Sequence, residues 1–239
     1  MKENKLSIEK TIRYYTIGDI EKANYLLISL HGYGQLPSYF GRKFEDLSED
    51  FFIVLPEGMH RFYLEGSSGR VGASWMTKEA REDDINDNLN YLEQIIDLIT
   101  VKKSFQKIIL LGFSQGGATA ARYFYERNSI NHLILWACIF PPDLKIEDEV
   151  KKENQTNYFV LGNEDPYFTE IKFSETVNFY SNLGFTIIKY DGNHSIDSIT
   201  LKNLLISFHF MYLSLVWRTL FFLRLSPSST LLVLYSGVL

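Results

Sequence analysis

The sequence predicts an α/β fold built on a mostly parallel central sheet flanked by helices. Two observations carry this reading. Short apolar or β-branched runs alternate along the chain with longer segments of helical periodicity, the pattern of a layered α/β domain. Several of those runs are apolar almost without interruption, as strands buried on both faces must be. With 239 residues, 46% hydrophobic and 22% charged, the chain can bury a substantial core in one domain.

Thr11 to Ile17 and Asn24 to Leu30 read as the first two strands, and Phe51 to Leu55, halted by Pro56, as the third. Ile85, Leu89, Leu92, Ile96 and Ile99 recur at three- and four-residue spacing and mark a long amphipathic helix. Lys107 to Leu111 is a strand that leads at once into a helix from Gln115 to Arg127 carrying Ala118, Ala120 and Ala121. Strands follow at His132 to Phe140, Asn157 to Leu161 and Phe185 to Tyr190, with a helix from Thr169 to Leu183. Only some sixteen residues separate Phe140 from Asn157, too few for a helical cap domain.

Composition changes near the end of the chain. No Asp or Glu follows Asp197, and from Ser207 onward the only charges are Arg218 and Arg224. Leu204 to Leu223 is nearly all apolar or aromatic and about long enough to cross a bilayer, although Arg218 at the bilayer centre would cost ~2.5–3.5 kcal/mol. The expected organisation is therefore a globular domain over 1–206 and an apolar tail over 207–239. The tail reads equally as a membrane anchor, as packing helices or as sequence foreign to the fold. The polar start, Met1 to Lys5, leads into no apolar segment, so a cytoplasmic location is expected, with membrane association through 204–223 as the alternative.

A net charge of −5 lacks the basic footprint that nucleic-acid binding requires. Cys138 is a single thiol and no Cys/His cluster has zinc-site spacing, so no disulfide, metal or cofactor is expected. Its apolar setting, His132 to Phe140, makes Cys138 a small buried hydrophobe.

The segment Lys107-Ile108-Ile109-Leu110-Leu111-Gly112-Phe113-Ser114-Gln115-Gly116-Gly117 carries the chemistry. Gly-x-Ser-x-Gly set between a buried strand and a helix presents the serine hydroxyl on a sharp turn, at the positive end of the helix. Small residues on either side are what such a turn needs. A serine so placed requires a base, usually a histidine oriented by a carboxylate. Of five histidines, His31 and His60 precede the serine, His132 opens a strand and His209 lies in the tail. His194, in Asp191-Gly192-Asn193-His194-Ser195, follows the last strand and is the candidate base. The acid is sought in Gly162-Asn163-Glu164-Asp165-Pro166, as Glu164 or Asp165, with Asp143 and Asp148 as weaker alternatives. Two amides suit an oxyanion hole: that of Gln115, after the nucleophile, and that of Tyr33 in Leu30-His31-Gly32-Tyr33-Gly34. His31 reads as a residue that orders this loop.

These segments, with Ala73-Ser74-Trp75-Met76 ahead of Arg81-Glu82-Asp83-Asp84-Ile85, resemble the phospholipase/carboxylesterase family of α/β-hydrolases, which includes the acyl-protein thioesterases. The resemblance spans about residues 24 to 200, and Gly112-Phe113-Ser114-Gln115-Gly116-Gly117 is its most specific part. It implies the α/β-hydrolase fold without a large cap, a Ser114–Asp165–His194 triad, Asp165 rather than Glu164 as the acid, and the Tyr33 and Gln115 amides as the oxyanion hole. It further implies an acyl ester or acylated substrate. Asn193 stands where the family has a second glycine, a substitution that left-handed backbone geometry would tolerate. The apolar tail has no counterpart in the family.

Met59, Phe62, Tyr63, Trp75 and Met76 lie together between a strand and the long helix. Phe62, Trp75 and Met76 are candidates for an acyl groove; the competing reading is that they pack a long loop onto the body. Cleavage of carboxylic esters or thioesters through an acyl-enzyme is the expected function. A peptidase or lactone hydrolase on the same fold, or a catalytically inactive membrane-tethered scaffold, are the alternatives.

Overall fold

The computed structural model describes residues 1–47, 49–144 and 156–208. Asp148, His209 and most of the apolar tail fall outside them. The chain divides into two compact units, Met1–Asp197 and Ser198–Leu239.

The first unit is built on a seven-stranded sheet of order β1-β3-β2-β6-β7-β8-β9. Its strands are β1 (Tyr14–Ile17), β2 (Tyr25–Leu30), β3 (Phe51–Pro56), β6 (Lys107–Phe113), β7 (His132–Trp136), β8 (Tyr158–Gly162) and β9 (Thr186–Tyr190). β1 runs antiparallel to β3, and every other pairing in this sheet is parallel. Leu27 stands opposite Ile53 on one side and Ile109 on the other, which centres the sheet on β2 and β6. β2, β3, β7 and β8 are buried at every position. Their predominantly apolar sequences, interrupted by Ser29 in β2 and His132 at the start of β7, are thereby explained, because a strand covered on both faces has no polar side to show.

Among its described residues the α-helices are α1 (Pro37–Phe40), α2 (Arg81–Thr100), α3 (Gln115–Glu126) and α4 (Glu170–Asn182). The buried side of α2 is the predicted stripe, Ile85, Leu89, Leu92, Ile96 and Ile99, widened by Asn88 and Ile95. α3 packs on β6 and β7, and α2 packs on α3.

Three expectations change. The first strand begins only at Tyr14, because residues 14–17 are those that find a partner in β3. The expected strand from His132 ends at Trp136, since Ala137 takes a left-handed φ of 49°, and Ile139 emerges 73% exposed. Cys138 is still a buried small hydrophobe, and burial pushes its thiol up to about 12. The stretch around Met59 to Met76 is no simple loop: β4 (His60–Glu65) and β5 (Ser68–Ser74) form an antiparallel hairpin, turned at left-handed Gly66, with a second left-handed glycine, Gly69, within β5.

The second unit is described only over 198–208, a helix. Leu201, Leu204, Leu205 and Phe208 are its buried apolar residues, at helical spacing. Among the described residues no helix is long and apolar enough to cross a membrane.

One side chain anchors α4. Tyr180 is the only fully buried residue that α4 contributes; its ring stacks on Phe159 of β8 at 3.7 Å, and its hydroxyl donates to the Cys138 carbonyl at 3.0 Å. Tyr180→Ala is expected to cost ~3–5 kcal/mol. Tyr180→Phe keeps the stack and should cost only ~0.5–1.5 kcal/mol for the lost hydrogen bond. Urea unfolding of the two variants checks the order.

Candidate active site

Ser114 occupies the turn between β6 and α3 with φ 52° and ψ −120°, a strained geometry for a residue with a side chain. The turn is tied down by Ser114 N–H donating to Trp136 O and Gly117 N–H to Ser114 O, both at 2.9 Å. It closes only because its neighbours lack a Cβ. One added at Gly112 would lie 2.5 Å from Gly117 Cα, and one at Gly116 would lie 2.6 Å from the carbonyl oxygens of Leu30 and His31.

His194 and Asp165 arrive from the loops after β9 and β8. His194 Nε2 is 2.9 Å from Ser114 Oγ, and His194 Nδ1 is 2.7 Å from Asp165 Oδ2. The other carboxylate oxygen of Asp165 accepts the Tyr167 N–H at 3.0 Å. Asp165 is 3% exposed, whereas Glu164 is exposed, which separates the two candidate acids. Asp143 is committed elsewhere: hydrogen bonds from Arg122, and then from Arg81, hold its carboxyl well below the usual range.

The two loops are joined to each other. Asn163 N–H donates to Tyr190 O, Glu164 N–H to Gly192 O, and Gly192 N–H to the Asn163 side chain, at 2.9 to 3.1 Å. Beyond His194, the Ser195 carbonyl accepts from Trp136 Nε1 at 3.0 Å and from the Tyr190 hydroxyl. The imidazole packs against the rings of Phe113 and Tyr167, with centroids 5.0 and 4.5 Å away. Asn193 does not take a left-handed φ, so its replacement of glycine needs no conformational allowance.

The loop carrying Tyr33 lies against the serine: a Cβ on Gly32 would sit 3.3 Å from Ser114 Cβ. The amides of Tyr33 and Gln115 donate to no acceptor among the described residues. His31 holds this loop from below. Its Nε2 accepts the Gly58 N–H at 3.0 Å, which leaves Nδ1 to donate to Gly32 O at 2.7 Å. Gln115 adds a second brace. Its side-chain oxygen accepts Trp75 N–H at 3.1 Å and its amide nitrogen donates to Met76 O at 2.9 Å.

A cleft of about 400 Å³ opens beside His194, with Leu36, Phe40, Leu64, Val71 and Ile196 among its apolar lining. The three residues expected to form a groove do not line it. Trp75 is 0% exposed, its indole N–H donating to His31 O at 2.8 Å, so it offers a ligand no surface. Met76 directs its sulfur to Arg122, and Phe62 packs on the Tyr33 ring at 5.1 Å. These side chains shape the loops around the serine, and the wall of the cleft comes instead from α1 and the β4–β5 hairpin. Phe113, Tyr167, Asn163 and Tyr190 are the supporting residues that sequence reasoning passed over. Of these, Phe113 lies inside the recognised motif, and the others have no local signature.

With this geometry in place, comparison with known proteins adds the following. Residues 15–211 match a family model described as Phospholipase/Carboxylesterase. Among solved structures, the chain is similar to a carboxylesterase from Mesorhizobium loti, with TM-score 0.64 and 12% identity over 82% of this chain and 94% of that one. It is similar also to Zea mays acyl-protein thioesterase 2, with TM-score 0.62 and 14% identity over 82% and 98% of the two chains. A Bacillus cereus carboxylesterase gives TM-score 0.58 and 14% identity over 81% and 91%. No curated protein matches the sequence.

Burial pushes His31 down to about 4 from 6.5. Between these values the unfolded chain takes up a proton that the native loop refuses, so stability falls as the medium is acidified. This one group should withdraw on the order of 3 kcal/mol once pH is below both values. His31→Gln is expected to flatten the dependence of unfolding free energy on pH between about 7 and 4, measured by urea denaturation beside the parent.

Proposed function

The chain belongs to the phospholipase/carboxylesterase family of α/β-hydrolases, and we propose that it cleaves carboxylic esters or thioesters through an acyl-enzyme on Ser114. The observation that carries this reading is the continuous hydrogen-bonded row from Ser114 Oγ through both ring nitrogens of His194 to the buried carboxylate of Asp165.

Ser114 Oγ attacks the carbonyl carbon while His194 Nε2 takes its proton. Asp165 fixes the tautomer with the proton on Nδ1 and stabilises the imidazolium that forms. Negative charge gathers on the former carbonyl oxygen, where the Tyr33 and Gln115 amides receive it; having no acceptor among the described residues, they need give up no bond to do so. Collapse expels the alcohol or thiol, which leaves with the proton from His194. Water then attacks the acyl carbon by the same route and releases the acid. The apolar side chains of Leu36, Phe40, Leu64 and Ile196 in the cleft beside His194 suit the hydrocarbon part of an ester.

A fluorophosphonate probe should label the protein, and Ser114→Ala should abolish both the label and p-nitrophenyl ester turnover. Asp165→Asn should lower kcat by ~10³–10⁴-fold by presenting the wrong imidazole tautomer. An unlabelled, inactive parent protein would favour the scaffold alternative. Turnover of peptides but not esters would favour the peptidase.

A further inference from the structure

The cleft beside His194 has a charge bias that the hydrolytic row does not use. Lys43, which ends a short 3-10 turn after α1, and Arg70, on β5, both line it, and no Asp or Glu does. Cations without carboxylate partners are the minority among the described arginines. Among the described residues, Arg13 and Arg61 pair with Glu57, Arg81 and Arg122 with Asp143, and Arg127 with Glu93. Arg42 lies over the Tyr39 ring. Arg70 and Lys43 pair with no carboxylate among the described residues. Three acids are close in the chain: Glu65, whose carboxylate lies beside Gly69, and Glu45 and Asp46, which follow Lys43. None of them lines the cleft. In a protein of net charge −5, this concavity carries two cations and no carboxylate beside an apolar wall of Leu36, Phe40, Leu64, Val71 and Ile196.

We propose that the cleft selects esters that carry a carboxylate at the end remote from the scissile bond, the intervening chain lying on Leu36, Phe40, Leu64 and Ile196 and the carboxylate meeting Arg70 and Lys43. Which end of the ligand faces Ser114 rests on the serine-hydrolase reading; the binding itself does not. An uncharged chain of equal length gains the same apolar contact but leaves both cations to water. A carboxylate matches the planar guanidinium fork, and the ammonium adds a second charge. Both cations are exposed, so the preference they confer is of the size of one or two surface ion pairs.

The test has two arms. Binding of monomethyl adipate and of dimethyl adipate to the Ser114→Ala protein is measured by NMR titration. The monoanion should bind ~3–10-fold more tightly, less so at about 0.5 M salt. The preference should vanish in Arg70→Gln/Lys43→Gln and also in Arg70→Glu, whose new carboxylate offsets Lys43; the latter serves alone if the double variant fails to fold. Equal affinities, or a preference that survives these substitutions, overturn the proposal. In the second arm, Ser114-intact protein is assayed with the p-nitrophenyl monoester of glutaric acid against p-nitrophenyl valerate, and with 4-(butyryloxy)benzoate against phenyl butyrate. The pair that shows the preference reports whether the carboxylate belongs to the acyl or the leaving group. Carboxylate-selective binding without any turnover supports the cation site and sinks the hydrolase reading. Turnover without selective binding sinks the cation site alone.

Discussion

The turn from β6 into α3 holds Ser114 at φ 52° and ψ −120°, and the surrounding chain supplies the constraint that keeps it there. Backbone atoms of Leu30, His31, Gly112, Gly116 and Gly117 approach so closely that no side chain fits between them. The strain is of order 1–3 kcal/mol, modest beside the apolar burial of the fully covered strands on either side. Because β6 sits in the interior of the sheet with β2 and β7 as neighbours, the turn cannot relax without disturbing the sheet. A hydroxyl fixed in this way gives every other group of the site a stationary target.

The groups that address it are held with comparable firmness, but by polar contacts. The loops after β8 and β9 are laced through Asn163, Gly192 and Tyr190, and Trp136 and Tyr190 grip the carbonyl that follows His194. On the other side, neutral His31 and the Gln115 side chain brace the segments that carry Tyr33 and Trp75. Donors and acceptors set in advance need little reorganisation when charge develops, which is where most electrostatic catalysis comes from. Burial keeps His31 neutral well into acid, so this brace does not change charge while the site works.

The β4–β5 hairpin links these two sets of constraints to the ligand. Gly34 N–H donates to Ala73 O and Ala73 N–H to Gln35 O, at 2.9 and 3.1 Å, so the Tyr33 loop is pinned to the hairpin as if by one further strand. The same hairpin contributes Leu64, Arg70 and Val71 to the cleft. A fold with a short connection between β7 and β8 thus takes its wall from an element much earlier in the chain. That wall and the Ser114–His194–Asp165 row therefore come from separate parts of the chain.

Much of this was legible in the residues. The apolar runs gave away the buried strands because a strand covered on both faces tolerates little else, and the spacing of Ile85 to Ile99 gave away α2. Ser114 and His194, which the fold brings within 2.9 Å of each other, were singled out from a turn whose glycines are sterically obligatory and from position after a strand, both of them local properties. Asp165 needed a family likeness, because Glu164 beside it is chemically equivalent until one of them is buried. The hairpin, the fate of Trp75 and the lining of the cleft were hidden, since each depends on which surfaces meet across tens of residues. Residue order alone determined the layered sheet and singled out Ser114 and His194 as candidates, as local geometry and hydrophobic pattern act within a few residues. Only the tertiary structure decided which carboxylate is buried against His194 and which side chains face the cleft, because burial is a property of the packed whole.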